Sequence, residues 1–441
     1  KLEDLTVMGY LEKGPGRLRV DQLVYDRLSL LLPMRADAFG QGAKQVAVET
    51  LGYAHVTRVL GAELSAMRSL YAYFQELWKT EDTLERLYRT IDGPLIEVLA
   101  RMEHRGVLLD VPFLESMSLG VADKIKELEA KAHVLGGQSF NLSSPKQLQA
   151  LFYDTLGWPV LEKTPTGQPS TGESVLHLLA KEYPLAAVIL EYRSLSKLKS
   201  TYLDALPKCV DEEGRIHADF LQTMTSTGRL SCQDPNVQNI PIRTEEGRKV
   251  RKAFKPAPGF VLLALDYSQI ELRIMAHISK DPMLLQAFSK DEDVHLHTAS
   301  ELYEVPPEKV TSEMRRVAKV INFGIIYGMS AFGLSQNLNI SRIEAADIIE
   351  AYWKEFPSVR AYMDKSIAKA KEQGYVETLL GRRRYLRNIN AANFTMRGYD
   401  ERNAINAPIQ GSAADLIKIA MINIHDWIKK EKLSSKMLMQ V

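Results

Sequence analysis

Cysteine is nearly absent. Cys209 and Cys232 are the only two among 441 residues, which excludes a disulfide framework and a cysteine-rich zinc site and fits a reducing compartment. No run of about 18 apolar residues occurs, so no segment reads as a membrane-spanning helix. No G-x-x-x-x-G-K-S/T loop occurs, so phosphate recognition falls to side chains rather than to a P-loop. Net charge is almost missing too, with 56 Lys and Arg against 55 Asp and Glu. A basic surface for a polyanion must then be local and balanced by acid elsewhere. Repeats, low-complexity tracts and Gly/Ser linkers are lacking. The chain opens on Lys1 with no signal-peptide pattern and closes on Met437-Leu438-Met439-Gln440-Val441, a strand pattern with neither turn nor tail. Both ends read as cuts.

What is present is an ordinary globular profile, 45% hydrophobic and 25% charged. The length allows two to four domains, each with a real core. Helical spacing dominates the first half. Apolar residues recur at helical intervals from about Thr80 to Arg105, where Gly106 stops them. Further helices are predicted over 112–135, from Pro145, and over 185–206. Ile216–Thr223 alternates like a strand. Phe260–Leu265 is a solid apolar run that predicts a strand buried on both faces, delivering Asp266 at its end. Helices then follow over 282–288, 294–303, 311–328, 342–356 and 358–373, a hairpin near Gly381, and a long helix over 400–430. Such a layout implies an α+β chain whose sheet is assembled from distant segments.

Several residues carry chemistry. A carboxylate at the rim of a buried sheet is costly unless a cation offsets it, so Asp266 predicts either a metal site or an ion pair. Glu271 and Arg273 keep the local ion pair open. Arg315, Lys319, Phe323 and Tyr327 are spaced four apart. Each step of four turns about 400°, so they form one slowly winding stripe, two cations followed by two rings. A nucleoside triphosphate needs that order: charge for phosphates, then flat apolar surface for sugar and base. An amphipathic helix with a core end and a solvated end is the plainer reading. Gly324 and Gly328 weigh against it, since each costs about 1 kcal/mol relative to Ala inside a helix. His295 and His297 follow Asp293; on a helix they point apart, so a phosphate donor is favoured over zinc. The loop Thr225–Ser231 and the run Pro235–Pro241 are rich in amides suited to base edges, or else to satisfying their own turns. Arg402, Asn406 and Gln410 repeat the four-residue spacing late in the chain. Arg382-Arg383-Arg384 with Arg387 reads as a solvated basic patch, at best a phosphate contact.

Together these segments resemble the family A DNA polymerases, in particular the large, Klenow-type fragments of bacterial polymerase I. Asp266–Arg273 is similar to the family's motif A, Arg315–Gly328 to motif B, Thr227–Ser231 with Pro235–Pro241 to its minor-groove grip, and Asn406–Asp415 to its template-side helix. The resemblance runs from about residue 80 to the end. It implies a right-hand fold: a palm with an antiparallel sheet, and helical fingers and thumb. The implied boundaries are thumb 79–205, palm 206–280 and 399–441, and fingers 281–398, preceded at 1–78 by a remnant of a 3′–5′ exonuclease-like domain. It implies a DNA-directed DNA polymerase of repair and replication gap filling in the bacterial cytoplasm, nucleoid-associated and monomeric, with primer-template DNA and dNTPs as partners and no membrane. Asp266 and the carbonyl of Tyr267 would hold two Mg²⁺ ions, for which Mn²⁺ could substitute. Arg315, Lys319 and His295 would bind the triphosphate, with Lys319 the proton donor to pyrophosphate. Phe323, Tyr327 and Gln269 would line the nucleotide, and Glu271 would exclude a 2′-hydroxyl. Arg229, Asn236, Gln238, Asn239, Arg402, Asn406 and Gln410 would grip the DNA, and the motif B helix would rotate to close over a correct pair.

Two departures stand out. The family's second metal-binding carboxylate follows an apolar strand ending Gln-Val, and this sequence stops at Gln440-Val441. One carboxylate holds two dications poorly, so the sequence as it stands is expected to catalyse weakly, as a cut chain does. In addition, Tyr53-Ala54-His55-Val56-Thr57 carries Thr where the exonuclease motif has a metal-binding Asp, so no proofreading is expected. A non-catalytic primer-template binding module is the alternative. A phosphohydrolase built on Asp266 and the histidines leaves the Arg-Lys-Phe-Tyr stripe unused, and Glu271 speaks against a ribonucleotide polymerase.

Overall fold

Short polar residues start many of the helices by accepting bonds from the first free N–H groups. Asp4, Asp110, Ser144, Asp281, Asp293, Thr311, Ser341 and Asn393 all cap in this way. Pro follows the cap inside the first turn at Val111–Gly136, Pro145–Gln149 and Pro282–Ser289. The computed structural model describes residues 3–441 apart from Met34, Arg243 and Asn339, so Lys1 lies outside it. Among the described residues, no helix is long and apolar enough to cross a membrane.

The chain divides into two compact units. One comprises residues 1–100, 221–231 and 265–436. Its first core gathers Leu5–Lys13, Val20–Leu28 and Tyr53–Trp78 around Leu23, Leu70 and Phe74. Its second core lies among Ile270–Ser279, Val294–Tyr303, Ser312–Ile326, Arg342–Glu355 and Pro357–Gln373, with Ile405, Ile409 and Ala413 of the long helix Phe394–Lys430. A hairpin pairs Tyr375–Glu377 with Arg383–Tyr385. The other unit comprises 101–220, 232–264 and 437–441. In it, Trp158 stacks between Phe152 at 4.4 Å and Tyr183 at 4.3 Å, inside a helical core. Val107–Leu109 is the centre of a three-stranded antiparallel sheet with Arg215–Ile216 and Phe254–Lys255. The architecture is therefore α+β, mostly helical with small antiparallel sheets.

The predicted helices stand close to their expected bounds, and the region 1–78 is largely helical. The run Phe260–Leu265 is a correction. It joins no ladder among the described residues, and Val261, Leu263 and Leu265 are 86%, 79% and 74% exposed. Phe260 and Leu262 are less exposed, so the period of two persists without a sheet. An apolar run shows that a segment tolerates burial on both faces, but burial needs flanking strands. Met437–Val441 likewise forms no ladder. Asp266 thus sits on an exposed segment outside any strand, not at the rim of a buried sheet.

Gly411 shows how tightly the long helix is packed. A Cβ there would lie 2.5 Å from Thr378 Cγ2 and 3.1 Å from the Thr227 carbonyl oxygen. Helix propensity favours Ala by about 1 kcal/mol, but overpacking costs about 1–3 kcal/mol. Gly411→Ala is therefore expected to lower the urea-unfolding midpoint; an unchanged midpoint would mean that Thr378 yields freely.

Candidate active site

The helix Ser312–Ile326 presents the predicted stripe. Arg315 donates from Nε to Asp293 Oδ2 at 2.6 Å. The other oxygen of Asp293 caps the helix Val294–Tyr303 by accepting from the backbone N–H groups of His295 and Leu296. Burial works against the charge of Asp293, but Arg315 and those N–H groups outweigh it and hold its carboxyl below the usual range. Lys319, one turn on, is exposed. Phe323 and Tyr327 are half-buried, with ring centroids 5.9 Å apart and planes tilted 32°. His295 is buried, its ring 5.5 Å from that of Phe323. Burial pushes its pKa down to about 4, with Arg315 and Lys319 adding to the effect and Asp293 opposing it. The ring is therefore neutral near pH 7. Asn322, between stripe positions, is fully buried and donates to His295 Nδ1 at 3.0 Å. His297 lies nearer Glu355, at 3.5 Å, and the two histidines do not converge.

Gly328 ends the stripe in a left-handed conformation, φ +75°, where a Cβ would press on Arg402 Cγ at 3.3 Å. There the long helix takes over. Asn406 donates from Nδ2 to the Tyr327 carbonyl at 3.2 Å, while its Oδ1 is buried without a partner. Arg402 is exposed and Gln410 half-buried on the same helix. Gln269 sits at φ 53°, a rare conformation for a side-chain-bearing residue. Its Oε1 is also buried without a partner. This turn follows exposed Asp266 and Tyr267 and starts the helix Ile270–Ser279. Glu271, in its first turn, forms an ion pair with Arg229. Burial raises the Glu271 pKa, against the pull of Arg229. Arg273 turns away instead, to Asp291 and the Phe288 ring.

Asn236, Gln238 and Asn239 belong to the other unit. Asn236 accepts from the Gln238 backbone N–H at 3.0 Å, and Gln238 donates to Gln440 Oε1 at 2.7 Å. The Asn239 carbonyl accepts from Tyr202, and its side chain is exposed. In this unit, part of the amide-rich run satisfies its own turn.

The arginine run is a second correction. Arg382 is buried, donating to Asp92 Oδ2 at 2.7 Å and to Asp415 Oδ1 at 2.8 Å. Lys418, also buried, donates to Asp92 Oδ1 at 2.7 Å. Arg383 pairs with Glu81 and Glu377. Three successive arginines look solvated until distant carboxylates are brought to them. The quartet underlies the turn of Gly228, where a Cβ would lie 2.9 Å from Arg382 Cδ. The Tyr10 hydroxyl donates to the Thr225 carbonyl in the same loop. Asp92, Asp415, Lys418 and Asn322 were missed from sequence. Their one signal is a polar residue on an apolar helix face.

In chemical terms, one helix offers a held guanidinium, an exposed ammonium and two tilted rings, beside a neutral imidazole. Proteins that handle a polyphosphate next to a flat base are built this way. The model for DNA polymerase family A matches residues 111–441, and the chain belongs to that family. It is 49% identical over 410 residues to the DNA polymerase I of Pseudomonas aeruginosa, covering 92% of this chain and 45% of that one. It is 48% identical over 373 residues to the thermostable DNA polymerase I of Thermus aquaticus, covering 83% and 45%. A solved structure described as the POL domain of Pol1 from M. smegmatis in complex with DNA primer-template and dNTP is similar at 40% identity and a TM-score of 0.89. That match covers 99% of this chain and 74% of the other. The chain spans about half the length of the curated relatives it matches.

The lowered pKa of His295 has a consequence for stability. Its ordinary value is 6.5 and its folded value about 4. Between these, the unfolded chain binds a proton that the folded chain does not. The contribution is intact above pH 6.5 and is lost progressively as pH falls toward 4. His295→Gln should flatten this part of the decline in urea midpoint; an identical decline would assign it to other groups.

Proposed function

We propose that this chain performs templated nucleotidyl transfer, the DNA-directed addition of dNTPs to the 3′ end of a DNA primer, serving gap filling in repair and replication. The observation that carries the reading is the ordered stripe on Ser312–Ile326, flanked by neutral His295 and tied at its far end to Asn406. Primer-template DNA and dNTP, present in the similar solved structure, are the partners we carry over. A monomer associated with the nucleoid belongs to the same reading.

Each residue then has a task. Arg315 and Lys319 meet the triphosphate charges. Arg315 is held by a single carboxylate and can exchange that bond for phosphate oxygens. Lys319 would give a proton to departing pyrophosphate. His295 adds a neutral N–H donor. Phe323 and Tyr327, with Gln269, pack on sugar and nascent base pair. Glu271 crowds the sugar C2′ and selects against a 2′-hydroxyl. Arg229, Arg402, Asn406 and Gln410, with Asn236, Gln238 and Asn239, take primer and template. The unpartnered acceptors of Asn406 and Gln269 support this, since a buried polar atom without a partner is costly until a ligand satisfies it. The thumb (79–205), palm (206–280, 399–441), fingers (281–398) and exonuclease-like remnant (1–78) remain our assignment of the domains.

Family A polymerases use divalent metal ions. The residues present fit that requirement only in part. Asp266 supplies one exposed carboxylate, and among the described residues no group of three or more His, Cys, Asp or Glu converges as a metal site. A hard cation such as Mg²⁺ demands near-octahedral oxygen ligation. We propose Asp266 and the Tyr267 carbonyl as ligands of the two Mg²⁺ ions and derive no step through them.

Single-nucleotide primer extension with Mg²⁺ tests the function, comparing this chain with one continued past Val441. Templated extension by the longer chain is expected. Binding of primer-template by both without extension would establish the non-catalytic module instead. Glu271→Ala should raise rNTP use relative to dNTP by at least tenfold, the effect of about 1.4 kcal/mol of lost discrimination. An unmoved ratio would remove Glu271 from sugar selection.

A further inference from the structure

Asn322 lies about 100° round the helix from the Phe323 position, off the stripe. It is fully buried, and a buried carboxamide is costly unless bonded. All its partners are on one neighbouring helix, Val294–Tyr303. Nδ2 lies 3.0 Å from His295 Nδ1 and 3.0 Å from Thr298 Oγ1, and Oδ1 lies 3.1 Å from Thr298 Oγ1. The Thr298 hydroxyl also donates to the Val294 carbonyl at 2.9 Å, which leaves its oxygen as an acceptor. Both hydrogens of the carboxamide nitrogen then have takers, and one taker is His295 Nδ1.

We infer that Asn322, braced by Thr298, is a positioning residue that fixes the tautomer of His295, keeping Nδ1 as acceptor and Nε2–H as the donor for the nucleotide's triphosphate. The inference rests on His295 being a triphosphate contact, as proposed above. An acceptor at Nδ1 leaves the single proton of a neutral ring on Nε2. A buried ring beside Arg315 and Lys319 stays neutral, in agreement with a pKa near 4. The contact therefore does not titrate between about pH 6 and 8, unlike that of an exposed histidine. The reversed carboxamide would put Oδ1 against the ring and demand the opposite tautomer, so the two arrangements are experimentally distinct.

The test is long-range ¹H–¹⁵N correlation on protein labelled at histidine nitrogen, with His295 assigned by His295→Gln. The inference expects an unprotonated, pyridine-type Nδ1 and a protonated Nε2 at pH 7. Asn322→Leu should give a tautomer mixture, and the milder Thr298→Val should shift it the same way. Asn322→Asp, which faces Nδ1 with a carboxylate, should give a doubly protonated ring. In parallel, titration of dTTP should show roughly tenfold weaker binding for Asn322→Leu, the loss of one hydrogen bond to a charged group. A protonated Nδ1 in the parent protein, or a tautomer indifferent to both Asn322→Leu and Thr298→Val, overturns the inference whatever dTTP does. If the tautomer responds but dTTP affinity is unmoved in both Asn322→Leu and His295→Gln, the triphosphate role of His295 is what falls.

Discussion

Asp92 is a carboxylate with no access to water, and much of the larger unit is arranged around that fact. It ends the π-helical turn Tyr88–Asp92, where a widened helical loop lets the side chain turn inward. Arg382 and Lys418, both far along the chain, answer it, and Asp415 answers Arg382. Two anions and two cations leave no net buried charge. Burial pulls the Lys418 pKa down and Asp92 opposes it. Removing one partner of such a group costs about 3–5 kcal/mol, because the others are left uncompensated. Thr378 donates to Asp415 and Gln222 donates to the Asp92 carbonyl, so the hairpin and the segment leading into the Thr225–Arg229 loop join the same network. Arg229 then leaves a braced turn to reach Glu271.

The stripe of Arg315, Lys319, Phe323 and Tyr327 repeats this economy on a smaller scale. Asp293 is both helix cap and anchor for Arg315, so the start of one helix sets the first cation of the next. His295, two residues after the cap, inherits its position from the same turn. At the other end, Asn406 and Gly328 dock the stripe on the long helix. A rigid scaffold therefore holds both ends, and the groups between them keep unspent hydrogen-bonding capacity.

Sequence pattern located the helices well, because capping residues and 3.6-residue spacing are local signals. Gly106 after the helix ending at Arg105, and Pro145 at the start of another, needed no tertiary information. The stripe was legible for the same reason. What escaped was non-local. Arg382 looked solvated because Asp92 lies 290 residues away. Asn322 was passed over because its partners sit on another helix. Phe260–Leu265 was misread for the inverse reason: composition records what a segment tolerates and is silent about which strands lie beside it.

That exposed run has a further consequence. Val261, Leu263 and Leu265 are exposed on a segment that joins no ladder among the described residues. An uncharged segment of mostly long aliphatic residues, without proline, is the kind of sequence that can pair with another exposed strand. Exposed apolar runs of this kind are an aggregation liability in general, and a charged or proline gatekeeper on the exposed positions is the remedy suited to strand edges.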